Sequence, residues 1–184
     1  MLAYLSKILP ISSDLETELN SISKIVSVAK NTILVNERER CRNLYFIQKG
    51  LMRGYYYDEN KEITHWFAQE AEFATSFYSF ITGETSPETI ETLEDCDLIQ
   101  ISYSHLQDLY KKFPETERLG RIITEKYYIK LEERFLNQRI RSAKDRYLAL
   151  MEKNPGLLNR AALGQIASYL GIAQETLSRV RAEM

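Results

Sequence analysis

Two periods of apolar spacing divide this chain. From residue 24 to about residue 101 the apolar positions fall in short alternating or β-branched runs, at 25–28, 32–35, 44–47, 51–57, 63–68, 89–93 and 98–101. Successive side chains on a strand point to opposite faces, so runs of this length and texture predict strands. Turn residues separate them at Lys49-Gly50, between Asp58 and Lys61, and at Thr82-Gly83. Many short strands with tight turns predict an antiparallel sandwich or barrel. Ahead of them, residues 14–22 carry an acidic amphipathic pattern with Ser13 or Asp14 as N-cap, a short helix that would cover one end of the barrel.

After Ser102 the period turns helical and stays so. Leu106, Leu109 and Tyr110 predict a short helix ending near Phe113-Pro114, and Pro114 can open the next one. From Glu115 to about Ile140 there is no proline and one glycine, Gly120, and the apolar residues form two stripes. Leu119, Ile122, Ile129, Leu136 and Ile140 gather on one side at heptad spacing. Ile123, Tyr127, Leu131 and Phe135 advance in steps of four on the other side. A helix with two apolar stripes needs two partners. One stripe can pack on the chain's own β-domain. The other requires a second helix, and with no other long helix in the chain, a sister subunit is the economical partner. The heptad-spaced stripe is the expected dimer seam; a helix wholly enclosed in a monomer is the alternative.

A further helix is expected from about residue 142 to 153, with Tyr147, Leu148 and Met151 on its core face, ended by Asn154-Pro155-Gly156. Beyond it, Ile166, Leu170, Leu177 and Val180 sit at helical spacing on either side of Gly171. This predicts helix, sharp turn, helix: Ala167 is small where the helices would cross, Gly171 can take the left-handed turn, and Ile172 and Leu177 would plug the angle between them. The second helix would begin near Ala173, and its outward residues Gln174, Glu175, Ser178 and Arg179 are of the types that reach base edges in a major groove. A plain αα corner would share the glycine but has no need of a wholly polar outer face.

Composition sharpens this picture at one point. The net charge of −2 is an unpromising total for a DNA binder. Residues 121–184, however, hold 12 Lys/Arg against 7 Asp/Glu, a balance of +5, while residues 1–120 carry −7. The positive potential lies where the helix-turn-helix lies. A hydrophobic content of 44% supports real cores, no apolar run is long enough to span a bilayer, and Met1 to Lys7 lacks a signal-peptide pattern, so a cytoplasmic location is expected. Cys41 and Cys96 have neither CxxC spacing nor a nearby histidine.

The stretch Gln174-Glu175-Thr176-Leu177-Ser178-Arg179 resembles the recognition helix of the Crp/Fnr family of bacterial transcription regulators. Asn43 to Gly50 is similar to that family's strand leading into a glycine turn, and Leu98 to Tyr103 to its last strand before the helices. The resemblance implies an α+β chain. Residues 1–113 would form an antiparallel β-roll (a double-stranded β-helix) of cyclic-nucleotide-binding type, residues 114–140 a dimerisation helix, and residues 141–184 a helix-turn-helix domain. It further implies a homodimer on an inverted repeat of double-stranded DNA, with RNA polymerase as a partner. Glu175 matches the acidic residue that accepts from cytosine and Arg179 the arginine that reads guanine, with Thr176, Ser178 and Arg181 on the same DNA-facing helix. Gln174 departs from the arginine of the best-known members, which puts its base preference in doubt. In the family a wing hairpin usually follows the recognition helix, whereas this sequence stops three residues after Arg181; the wing is either absent or lies beyond this sequence, so its phosphate contacts are not carried over.

Cyclic-nucleotide-binding members carry a Gly-Glu pair and an Arg-Ser pair around the cyclic phosphate. A gap-free alignment back from Ile101 puts these on Thr75-Ser76 and Ser86-Pro87, so neither pair is kept; Arg53 or Lys61 could substitute only if a loop shifted. The uncharged aromatic stretch Phe73, Phe77, Tyr78 and Phe80 reads either as core or as the wall of a pocket for an apolar or cationic small molecule. A candidate effector pocket therefore comprises Trp66, Phe73, Thr75, Ser76, Phe77 and Ser86. With only His65 and His105 as histidines, a metal-dependent enzyme on this roll lacks ligands, and no P-loop, GxGxxG or nucleophile with a paired base is visible. The expectation is a dimeric, sequence-specific DNA-binding regulator with no cofactor or metal, not an enzyme and not cyclic-nucleotide-responsive, with an unidentified small-molecule effector open. The alternative is a ligand-binding or protein-interaction module whose helix-turn-helix is only a scaffold.

Overall fold

The computed structural model describes residues 1–183. Within them the period-two runs form strands: β1 (Lys24–Val28), β2 (Ile33–Val35), β3 (Asn43–Lys49), β4 (Met52–Asp58), β5 (Lys61–Ala68), β6 (Phe73–Ala74), β7 (Thr89–Thr92) and β8 (Cys96–Ser102). They make two four-stranded antiparallel sheets, ordered β1-β8-β3-β6 and β2-β7-β4-β5. Alternate residues of both sheets, among them Val35, Ile47, Met52, Ile90 and Leu98, meet in one core and close the roll. The strand β6 has no sequence forecast because two residues carry no period. At Gly54 the indole of Trp66 crosses so closely that a Cβ would lie 2.3 Å from it, and only glycine leaves room for that ring.

Helices frame the roll. α1 spans Leu2–Leu5 and α2 Ser13–Ile22. Ser12, one position earlier than expected, caps α2 by accepting from the Leu15 N–H at 3.2 Å, which leaves Asp14 in the first turn, where the helix dipole favours an acid. α3 (Phe77–Thr82) falls in the aromatic stretch and is too short to show a helical period; Gly83 ends it in the left-handed conformation. α4 (Tyr103–Lys112) leads into α5 (Glu115–Ile140), the longest helix.

α5 faces the roll with Leu119, Ile123 and Tyr127. Tyr127 hydroxyl accepts from the Phe73 N–H at 2.6 Å and donates to the Phe73 carbonyl at 2.8 Å, pinning the helix to β6. Two assignments made from the stripes need correction. Leu119, at 4% exposure, is enclosed within its own chain and cannot lie on an outer seam. Leu131 and Phe135, at 48% and 51%, do not pack on the roll. The reason is geometric: a step of four residues overshoots one turn by about 40°, so a stripe built from such steps rotates off the roll after Tyr127. Lys130 and Arg134 continue the inward face instead, pairing with Glu72 and contacting His65.

The chain ends in α6 (Ala143–Lys153), a 3-10 turn (Pro155–Asn159), α7 (Leu163–Leu170) and α8 (Gln174–Ala182). Ser142 caps α6 by accepting from the Asp145 N–H. The cluster Tyr147, Leu150, Leu157, Ile166, Leu170 and Leu177 is continuous with Leu51 and Leu93 of the roll, so the helical module packs directly on it.

Candidate nucleic-acid interface and the roll interior

α7 and α8 are joined at Gly171, whose φ of 66° and ψ of 40° place it in the left-handed region that favours glycine. Gln165 closes the start of α7 by accepting from the Ala162 N–H at 3.0 Å. Ile166, Ala167, Leu170, Leu177 and Val180 are buried between these helices and α6, and Ile172 is half-buried. Gln174, Glu175, Ser178, Arg179 and Arg181 are exposed, and Thr176 is half-buried beside them. The outer face of α8 therefore carries two cations, one carboxylate and neutral hydrogen-bonding groups, with Leu177 and Val180 turned inward.

The module is also fastened to the roll by polar contacts that nothing in the sequence period signalled. Ser168 on α7 accepts from the Thr64 N–H at 2.8 Å and donates to the Glu62 carbonyl at 3.3 Å. Arg160 forks onto Glu70 at 2.8 and 2.9 Å and onto Glu94 at 2.7 and 3.0 Å. Those hydrogen bonds from Arg160 hold the Glu70 carboxyl down at about 2.

The six residues grouped as an effector pocket do not share one site. Trp66, Thr75, Ser76 and Ser86 face the roll interior, whereas Phe73 and Phe77 turn outward, because β6 and α3 present them to the helices. Phe73 meets Phe46 edge-on at 5.1 Å and Phe77 meets Tyr127 at 5.6 Å. Both line an apolar cleft of about 290 Å³ between the roll, α4 and α5. Inside the roll, the Ser86 hydroxyl donates to Ser76 at 2.9 Å and also lies 2.6 Å from the Glu88 carbonyl. Thr75 donates to the Asn43 carbonyl at 2.9 Å. Trp66 donates its indole N–H to the Glu88 carboxylate at 2.7 Å. Arg53, the one cation that could have replaced a lost phosphate ligand from β4, is buried and bonded to both Glu62 and Glu91, with its guanidinium 4.1 Å from the Tyr55 ring centroid. Nothing in the spacing of Glu88 marked it in the sequence as buried.

Residues 25–113 match the sequence model of the cyclic nucleotide-binding domain. No curated protein sequence matches the chain. Among solved structures, the c-di-GMP-responsive global regulator CLP of Xanthomonas campestris superposes with a TM-score of 0.74 at 17% identity, over 94% of this chain and 91% of that one. FixK2 of Bradyrhizobium japonicum gives 0.76 at 18% identity, over 88% and 84%. A Crp/Fnr-family transcriptional regulator of Eubacterium rectale gives 0.74 at 19%, over 97% and 85%. The chain has the fold of a Crp/Fnr regulator. On that fold the roll interior holds the Ser76–Ser86 pair and the Glu88 carboxyl.

Burial pushes the Glu88 carboxyl from the ordinary 4.5 up to about 7, although the Trp66 N–H and the Arg134 charge pull it back. Between those values the folded chain holds more protons than the unfolded one. This group's contribution to stability is thus full below pH 4.5 and lost as pH rises through about 7. His65 has the opposite sign: burial first, and Arg134 second, depress it to about 4, so its contribution is lost as pH falls from 6.5 toward 4. Comparing wild type with Glu88→Gln isolates the first effect. Urea unfolding across this range should give wild type a more negative slope of stability with pH than Glu88→Gln; parallel profiles would rule out a buried, raised carboxyl.

Proposed function

We propose that this chain is a dimeric, sequence-specific DNA-binding transcription regulator, regulatory rather than catalytic, that works without a cyclic nucleotide. The observation that carries the reading is the polar, exposed outer face of α8 on a helix-turn-helix whose Ile166, Ala167, Leu170, Leu177 and Val180 are turned into a core. In this reading residues 1–113 are the sensor-like roll, 114–140 the dimer helix and 141–184 the DNA-reading module. Selection from random duplexes followed by a gel shift tests it: enrichment of an inverted repeat with half-site centres roughly 34 Å apart is the expected result. Failure to enrich any sequence would favour the scaffold alternative. No helix among the described residues is long and apolar enough to cross a membrane, and a cytoplasmic location, with RNA polymerase as a partner, follows from the reading.

Base reading comes first among its consequences. Glu175 and Arg179 reach for cytosine N4 and guanine O6/N7, with Gln174, Thr176, Ser178 and Arg181 beside them. Each of Glu175→Ala and Arg179→Ala should cost about 1–3 kcal/mol on the selected site and relax one base pair. Equal losses on selected and random DNA would assign these residues to phosphate contact alone.

Dimerisation rests on the second half of α5. Ile129, Leu136 and Ile140 are 54%, 47% and 76% exposed there, and an apolar stripe of this kind along one helix face calls for a partner. The seam is assigned to Ile129, Leu136 and Ile140, with Ile122 at its upper end. Ile129→Lys and Leu136→Lys should each shift sedimentation at micromolar concentration from dimer to monomer while leaving the unfolding curve of the monomer intact. A monomeric wild type at that concentration sinks the dimer.

Cyclic nucleotides should not bind. A phosphate entering the roll would meet the Ser76–Ser86 pair and the buried Glu88 carboxyl, and Arg53 is already held by two carboxylates. Desolvating an anion beside that carboxyl costs several kcal/mol. Calorimetry with cyclic AMP and cyclic GMP should give millimolar dissociation constants or no heat; micromolar binding of either would overturn this part of the reading.

A further inference from the structure

An open cleft of about 530 Å³ lies where the roll, α5 and the helix-turn-helix module meet, within the range of small-ligand sites. Phe67, Leu150 and Leu157 give it an apolar floor, and its walls carry cations in excess of carboxylates. The two carboxylates present, Glu72 and Glu133, are already paired with Lys130 and Lys153. Two guanidinium groups remain. Arg134 touches the neutral ring of His65 at 3.1 Å and lies 6.0 Å from the Tyr169 ring centroid, and it makes no ion pair among the described residues. Arg146 stands against the turn at Gly171, 3.5 Å from where a Cβ would project, and its Nε is buried with no hydrogen-bond partner.

A buried donor on a charged group costs free energy when it is left unmatched, and such orphans in native structures call for an ion, a water or a ligand. The planar guanidinium fork fits the oxygens of a phosphate or a carboxylate, and the apolar floor fits the body that bears them. We propose that this cleft binds a small organic oxyanion, its phosphate or carboxylate held by Arg134 and Arg146 and its apolar part seated on Phe67 and Leu150. The site is separate from the roll interior. Because Arg134 belongs to α5 and Arg146 to α6, an occupant bridges the long helix and the DNA-reading module, and its arrival would bias how that module is held. That last consequence rests on the regulatory reading; the binding itself does not.

Calorimetric titration of the full chain at constant ionic strength, without DNA, tests the site with inorganic pyrophosphate in one arm and citrate in the other. Millimolar or tighter binding of either probe is expected, and the arm that responds tells phosphate from carboxylate chemistry. Arg146→Gln and Arg134→Gln should each weaken it by about tenfold or more, while Arg38→Gln, a fully surface-exposed cation on the roll, should leave it unchanged. Arg146→Gln should also be no less stable than wild type in urea, since it removes an unmatched buried donor; a residue kept only to hold the fold would not behave so. No binding of either probe, or binding undiminished in both cleft variants, overturns the proposal.

Discussion

Everything in this molecule is arranged around one constraint on α5: a single helix must satisfy the roll on one side and still leave an apolar face for something else. The hydroxyl of Tyr127 resolves the first demand. It both accepts from and donates to the backbone of Phe73, so the rotation of the helix about its own axis is fixed at that turn. Once that angle is set, helical geometry dictates the rest. Leu119 and Ile123 go inward above it, Lys130 and Arg134 line the inner face below it, and Tyr128, Ile129, Leu136 and Ile140 are carried outward. The outward apolar face is thus the result of one local anchor rather than of a separate design for association.

The same anchor separates two environments that a linear sequence cannot tell apart. Phe73 and Phe77 lie within a few residues of Thr75 and Ser76, yet the aromatics pack outward on Phe46 and Tyr127 while Thr75 bonds the Asn43 carbonyl and Ser76 the Ser86 hydroxyl. The inward group is then consumed by local bonds. Ser76 with Ser86, Thr75 with the Asn43 carbonyl and Trp66 with Glu88 leave little unmatched hydrogen-bonding capacity for a guest. A protonatable carboxyl sealed inside the roll also means that the interior tolerates a negative charge poorly, since desolvation is what raises it.

How much of this was legible in the sequence depended on whether the governing signal was periodic. The seven longer strand runs, α5 and the helix-turn-helix all repeat a spacing over several turns or pleats, and each was read to within a few residues. The elements missed, α1, β6, α3 and the 3-10 turn, are two to six residues long and carry no repeat. The two stripes on α5 were visible, but their assignment failed at Leu119, Leu131 and Phe135, because spacing fixes which residues share a face and not where along the helix its partner ends. The candidate pocket failed for a related reason: Phe73 and Phe77 are neighbours of Ser76 in sequence, yet they pack against Phe46 and Tyr127 while Ser76 bonds Ser86. Contacts between single polar groups far apart in the chain, such as Arg160 with Glu70 and Glu94, or Ser168 with the edge of β5, left no trace in any pattern.

Those distant contacts change the meaning of the charge asymmetry. The excess of acid in residues 1–120 reads naturally as a half that avoids nucleic acid, but in the fold several of those carboxylates face the basic half of the same chain. Glu70 and Glu94 hold Arg160, and Glu72 holds Lys130. Each such pair is exposed enough for solvent and salt to weaken it. Acidic roll and basic module therefore attract one another through the ions that would otherwise serve only solubility, and the attraction is of the screened, adjustable kind. The apolar contact of Leu51 and Leu93 with the module supplies the part that salt does not touch. A module held by this mixture keeps the outer face of α8 free while its seat on the roll stays sensitive to whatever charge arrives in the cleft beside Arg134 and Arg146.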